Sequence, residues 1–137
     1  MSGGTLDPRD GAESSIKDGR KLRGRNAEEH AAQYLLKEGY LIVERNWRCR
    51  SGELDIIAEK NGMLVIVEVR SRSSRSMGFG TPAESMTPRK IRQVRDTAAV
   101  YLLQHEASTS NVRFDLIGIV LGPDMKVESL EHYIASF

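Results

Sequence analysis

Two carboxylates interrupt a pair of apolar segments in SGELDIIAEKNGMLVIVEVRSRS, residues 51–73. The intervening Asn61-Gly62 favours a two-residue turn with positive φ at both residues, so the segments are predicted to form a β-hairpin in which Asp55 lies opposite Glu68. Directly opposed Cβ atoms lie about 4.5–5.5 Å apart, and like charges there destabilise a sheet. A shared proton, a basic partner or a divalent cation must offset this repulsion. Mg²⁺ suits the pair, because it binds one or two carboxylates together with substrate phosphate.

The same register places Glu53 opposite Arg70, on the face that carries the two acids. Glu53 is therefore either an outer metal ligand or the ion-pair partner of Arg70, and we favour the ion pair. The alternative for the whole group is a solvated charged face neutralised by arginines. Ile57, Leu64 and Ile66 share that face and favour burial instead. A β-bulge would break this register.

A third carboxylate is predicted to face the same core from a helix over residues 26–38. Glu28 lies at helical spacing from Ala31, Ala32 and Leu35, so it belongs to the apolar stripe of that helix. Taken alone, an acid in the first turn is more simply explained by its interaction with the helix dipole. Beside two opposed acids, an inward Glu28 is better explained as part of one site.

The remaining patterns predict the elements that position these side chains. Residues 1–22 lack apolar periodicity and are predicted to be a disordered tail before a single domain over residues 23–137. Thr87-Pro88 combines an N-cap with proline at the first position of a helix. The predicted second helix spans 88–105, and the predicted strands span 40–47, 53–60, 63–70, 111–122 and 129–135.

Charge is distributed unevenly along the chain. Residues 20–95 hold 16 Lys and Arg against nine Asp and Glu, and 14 of the 20 basic residues are arginine. Arginine forms forked contacts with phosphate, so this region indicates a nucleic acid or another phosphate ligand, although a scattered solvated surface is the alternative. The candidate phosphate contacts are Arg45, Arg48, Arg50, Arg72, Arg75, Arg89, Lys90 and Arg92.

Other features exclude several classes of protein. Cys49 is the only cysteine, so the chain cannot form an internal disulfide or a thiolate metal cage, which favours a reducing cytoplasm. No apolar run approaches the length of a membrane span, and the first residues lack the apolar stretch of a signal peptide. We therefore expect a cytoplasmic protein with no membrane partner.

Several blocks along residues 24–121 together resemble the YraN-like family of bacterial proteins. They are Gly24-x₃-Glu28-x₂-Ala31, GELDIIA, VIVEVRSR, TPRKIRQV and VRFDLIGIV, in this order. That family looks like a branch of the restriction-endonuclease-like, or PD-(D/E)xK, nucleases and is similar to archaeal Holliday-junction resolvases. The resemblance implies an α/β fold with a mixed β-sheet flanked by helices on an αβββαβ core, the order already predicted.

The resemblance also implies roles for individual residues. Glu28 takes the position of the helix-one acid, Asp55 that of the metal-binding aspartate, and Glu68 that of the glutamate in the E-x-K element. All three are implied ligands of Mg²⁺ or Mn²⁺. Arg70 stands where nucleases of this type carry lysine, and Lys90 falls where the family commonly has a basic residue. Because arginine stays protonated in proteins, Arg70 can stabilise negative charge but cannot act as a base.

The function that follows is a Mg²⁺-dependent endonuclease that hydrolyses phosphodiester bonds in DNA. Analogy with resolvases extends this to branched DNA and to a homodimer. The alternative is a catalytically inactive nucleic-acid-binding protein that keeps the nuclease-like fold, because Arg70 replaces the lysine. A third hypothesis is an interaction module whose basic face binds an acidic protein.

Overall fold

A computed structural model describes residues 8–105 and 111–137, with the side chains of all of these except residues 8–18, 77 and 79. It contains two helices, five strands and two short 3₁₀ turns between β3 and α2. In chain order the helices and strands are α1 Pro8–Lys37, β1 Leu41–Cys49, β2 Gly52–Lys60, β3 Met63–Ser73, α2 Pro88–Gln104, β4 Val112–Leu121 and β5 Val127–Tyr133.

The five strands form one mixed sheet in the order β1-β2-β3-β4-β5. Strands β3 and β4 are parallel, and the other neighbouring pairs are antiparallel. The parallel pair needs a crossover connection, which contains α2. Both turn residues of the β2–β3 hairpin have positive φ, 52° at Asn61 and 76° at Gly62. The predicted α/β fold, its αβββαβ order and this turn are therefore confirmed.

The two helices cover opposite faces of the sheet. Ile56 and Val67 point into a buried cluster with α1, whereas the adjacent Ile57 and Ile66 point into a second cluster with α2. This alternation follows from the two-residue period of a strand. Strands with both faces covered read as continuous apolar runs, as IVLG and MLVIV do in this chain.

Helix α1 begins at Pro8, far before the predicted start at Asn26. Residues 8–22 of the predicted tail are therefore helical, and the separation of a tail from a domain at residue 23 stays a prediction. No apolar pattern indicates this extension, because few apolar residues before Ala27 mark a buried stripe. Within the described ranges, no helix is long and apolar enough to cross a membrane.

A buried ion pair anchors β4. Asp115 has no exposed surface, and its carboxylate accepts two 2.8 Å hydrogen bonds from Arg113. It also lies 2.7 Å from His132 Nε2 and accepts a 2.9 Å bond from the N–H of Ala135. Burial alone would raise the pKa of Asp115, but these hydrogen bonds lower it to about 2. Arg113 and Asp115 thus form a structural ion pair within β4.

The same network extends to helix α1 and the turn that follows it. The hydroxyl of Tyr34 lies 3.0 Å from His132 Nδ1, and Arg113 donates a 2.7 Å bond to the hydroxyl of Tyr40. Buried polar groups with their partners in place fix one geometry, because each lost partner leaves an unsatisfied group. The network therefore fixes α1 against β4 and β5.

We predict that Asp115→Asn lowers the free energy of unfolding near neutral pH by about 3 kcal/mol, as expected when a buried ion pair loses one partner. A depressed pKa stabilises the fold above the unfolded value, so this contribution should disappear as the pH falls from about 4 towards about 2. Urea denaturation across this range measures both effects. The control Asp124→Asn removes an exposed carboxylate 3.8 Å from Lys126 and should change stability little. Equal losses in the two variants would contradict the prediction.

Candidate active site

The β2–β3 ladder breaks at the two carboxylates. Paired residues run without a shift from the turn to Ile56 opposite Val67, and the ladder ends there. Beyond this point the Asp55 carboxylate accepts a 2.9 Å hydrogen bond from the N–H of Val69, and the N–H of Asp55 lies 3.3 Å from Glu68 Oε2. The predicted direct ladder pairing of Asp55 with Glu68 is therefore wrong. Side chains take the hydrogen bonds that the ladder would have made, and this holds both carboxylates at the break.

Glu68 is almost completely buried, with 2% of its surface exposed. Burial, followed by the negative charge of Asp55, raises its pKa to about 8. Burial also raises the pKa of Asp55, although the bond from the Val69 N–H opposes this shift. A buried glutamate without a salt-bridge partner in the described ranges excludes the solvated charged face as an explanation.

Helix α1 brings a third acid to the break, as the sequence predicted. Burial raises the pKa of Glu28 to about 7, and the charge of Asp55 and a hydrogen bond shared with it act in the same direction. Asn46 joins the group from β1. With its amide nitrogen turned towards the acids, Asn46 donates to Glu28 and Glu53, 3.0 Å in each case. Its φ of 53° lies in the left-handed region that asparagine tolerates better than most residues.

Glu53 pairs with Arg48 rather than with Arg70. Its carboxylate lies 3.4 Å from Arg48 Nε, and the two residues are direct ladder partners across β1 and β2. The predicted pair with Arg70 assumed that the β2–β3 register continues to Glu53. It fails because that ladder has already ended at Ile56.

These side chains line one cleft of about 640 Å³, which we call the carboxylate cleft. Both helices contribute side chains to this cleft. Strands β2 and β3 contribute theirs at the point where their pairing ends. Its four acids and five basic residues come from separate parts of the sequence and meet in space. The lining residues are Lys21, Gly24, Arg25, Glu28, Asn46, Arg48, Glu53, Asp55, Glu68, Val69, Arg70 and Lys90.

A second cleft of about 750 Å³ adjoins the first and shares Arg70 and Lys90 with it. We call it the basic cleft, because four of its side chains are basic and one is acidic. The first turns of α2 form much of its wall. Its lining residues are Ser51, Arg70, Ser85, Thr87, Arg89, Lys90, Arg92, Gln93 and Asp96.

The structure thus brings together most of the residues singled out in the sequence. All four predicted catalytic residues, Glu28, Asp55, Glu68 and Arg70, line the carboxylate cleft. Among the predicted phosphate contacts, Arg48, Arg89, Lys90 and Arg92 line one cleft or the other, whereas Arg45 pairs with Glu29 on α1 at 2.9 Å. Like Arg45, the predicted contacts Arg50, Arg72 and Arg75 line neither cleft.

Three polar or charged residues of the carboxylate cleft were not predicted from the sequence. Lys21 and Arg25 lie seven and three positions before Glu28, a spacing that places all three on one helical face, so extending the helix backwards would have found them. Asn46 gave no such signal, because its left-handed backbone is known only from the structure.

The donor atoms of the cleft fit a hard divalent cation. Within residues 8–105 and 111–137, no three His, Cys, Asp or Glu side chains are already arranged around one point. Mg²⁺ does not need such a cage, because it retains water ligands and uses substrate phosphate oxygens beside one or two carboxylates. Asp55 and Glu68 can supply those carboxylates, with Glu28 beside Asp55.

Comparison with known proteins places most residues of this cleft inside the region that a protein family shares. The family model described as "Uncharacterised protein family UPF0102" matches residues 27–119, which include every predicted catalytic residue. A UPF0102 protein of Persephonella marina is 50% identical over 99 residues, 72% of this chain and 84% of the relative. Another, from Desulforamulus reducens, is 45% identical over 115 residues, 82% of this chain and 93% of the relative.

We predict that, in the presence of a chelator, Glu68→Gln raises the free energy of unfolding as the pH approaches about 8. Because the pKa of Glu68 is raised to about 8 from 4.5, the folded state binds its proton more tightly than the unfolded state does. Wild-type stability should therefore fall as the pH rises from about 5 to about 8, and the variant should lose much of this decline. Urea denaturation with EDTA measures the difference. The exposed Glu59→Gln on the same strand is the control, and identical pH profiles for all three proteins would refute the prediction.

Proposed function

This chain belongs to the uncharacterised protein family UPF0102, and we propose that it is a divalent-metal-dependent endonuclease that hydrolyses phosphodiester bonds in DNA. One observation carries the proposal. At the ladder break, Asp55 and Glu68 are held together by backbone hydrogen bonds in a cleft whose rim carries basic side chains. A site that binds both a cation and a phosphate requires this combination of charges.

The buried acids are costly unless something compensates for them. Burial disfavours the ionised form of all three carboxylates, and their mutual repulsion adds to this cost for Glu28 and Glu68. Asp55 and Glu68 would hold Mg²⁺ or Mn²⁺, with Glu28 as a further direct or water-mediated ligand. Such an ion, when bound, polarises a phosphoryl oxygen and lowers the pKa of a coordinated water.

Arg70 and Lys90 supply positive charge on the other side of the site. Both lie close enough to Asp55 and Glu68 to favour their ionised forms. Arg70 remains protonated, so it binds and orients the phosphate and stabilises the charge that develops in the transition state. Glu28 would then orient the attacking water, because Asp55 and Glu68 serve as metal ligands and Glu28 lies beside Asp55.

A nucleic-acid-binding protein without catalysis is the second candidate. Position 70 favours it, since arginine cannot replace the basic function of a lysine with a lowered pKa. Both candidates share the same substrate contacts, and they differ in whether the carboxylate cleft binds metal productively. Branched DNA and a homodimer belong to the first candidate by analogy with resolvases.

We predict metal-dependent cleavage of DNA that is lost in Asp55→Ala. Labelled duplex, single-stranded and branched DNA, together with RNA, would be incubated with Mg²⁺, with Mn²⁺ or with chelator. Metal should also raise the melting temperature of the wild type, because it binds the folded state preferentially. Asp124→Asn, an exposed acid on the β4–β5 turn, is the control and should cleave like the wild type.

The outcomes separate the two candidates. Cleavage that requires metal and Asp55 establishes a nuclease, and the preferred substrate identifies its class. DNA binding without cleavage, unaffected by chelator or by Asp55→Ala, would refute the catalytic proposal and leave the binding protein.

We further predict that Arg70→Ala lowers kcat about a hundredfold, whereas Arg70→Lys retains most of the wild-type kcat. The reason is that a preorganised positive charge at the phosphate, rather than a base, is what Arg70 provides. Steady-state kinetics on the preferred substrate measures both variants. Lys126→Ala removes an exposed cation elsewhere and is the control. An Arg70→Ala enzyme with wild-type kcat would show that Arg70 has no part in the reaction.

A further inference from the structure

We infer that the basic cleft is a second binding site, for phosphates of the nucleic-acid strand that continues beyond the reacting phosphate. The inference rests on the proposed function in one respect, namely that the carboxylate cleft is taken as the place of the reaction. The ligand is identified by its chemistry as the sugar-phosphate backbone of a nucleic acid. The two clefts would then bind successive parts of one strand.

The charges of the two clefts differ in a way that separates their ligands. Acids and bases are nearly balanced in the carboxylate cleft, which suits a cation together with a phosphate. The basic cleft carries four basic side chains, and Asp96 is its only acid. Within the described ranges, none of these four cations forms a salt bridge, so their charge is available to an anion from outside the chain.

Arg70 and Lys90 connect the two sites. Each lines both clefts, so a phosphate bound beside them has one neighbouring space with four carboxylates and another in which four basic side chains outnumber Asp96. Arg70 Nε is buried and has no hydrogen-bond partner in the described protein. The part of the Arg70 side chain that lines both clefts is the part that a phosphate oxygen can reach.

The composition of the basic cleft also indicates how it would bind. Its neutral lining residues, Ser51, Ser85, Thr87 and Gln93, have uncharged polar side chains, and none of the lining side chains that the structure describes is an aromatic on which a base would stack. Contacts of this kind go to phosphate and sugar, and they position a strand without reading its sequence. Binding should therefore be independent of sequence and strongly dependent on salt.

Fluorescence anisotropy with labelled DNA, in EDTA to prevent turnover, tests the inference directly. The variant Arg89→Ala/Arg92→Ala removes two exposed cations that line only the basic cleft. We expect at least tenfold weaker binding of a long oligonucleotide of any sequence. The slope of log affinity against log salt should fall in magnitude by about 0.7 to 0.9 for each lost phosphate contact. A dinucleotide, which is too short to span both clefts, should show a much smaller loss.

The matched control is Lys37→Ala/Lys126→Ala, which removes the same charge from exposed positions outside both clefts and should bind like the wild type. Circular dichroism checks that both double variants are folded. Equal affinity and equal salt slope in the Arg89/Arg92 variant would overturn the inference. Polyglutamate that competes with DNA as well as polyphosphate does would overturn it in favour of an acidic protein partner. Because no cleavage is measured, a wild type that binds DNA but never cuts it refutes the proposed function and leaves this result intact.

Discussion

The exchange of hydrogen bonds at the end of the β2–β3 ladder is the feature on which the rest of the site depends. Two adjacent strands stop pairing through their backbones, and the carboxylates of Asp55 and Glu68 take the places of the missing carbonyls. These hydrogen bonds hold both carboxylates in place despite the repulsion between them. It also opens the sheet, so that side chains from both helices reach the same cleft.

The scaffold around the break is apolar and well connected. One buried cluster fixes α1 on one face of the sheet and a second fixes α2 on the other, while the Asp115 network ties α1 to β4 and β5. Side chains positioned by rigid elements keep their geometry, which a catalytic or binding site requires. Burial of the acids in the site lowers the stability of the fold. The apolar clusters and the Asp115 network offset this loss.

Charge is distributed unevenly between the two adjoining clefts. Among the described lining residues, four acids lie on one side of Arg70 and Lys90, and one acid, Asp96, lies on the other. A net charge of +1 for the whole chain conceals this arrangement, because acids and bases that cancel in the total are separated in space. Local fields, rather than net charge, decide where an anion binds.

The sequence by itself determined the hairpin turn, the order of the elements and the acids of the site. Asn61-Gly62 fixes its turn through local backbone preference, and Glu28 is found from helical spacing, so neither depends on distant contacts. Only the tertiary structure decided the ladder break, the pairing of Glu53 with Arg48 and the role of Asn46. Each of these depends on which strand or helix lies alongside, because a local pattern gives the register near a turn but not where the pairing ends.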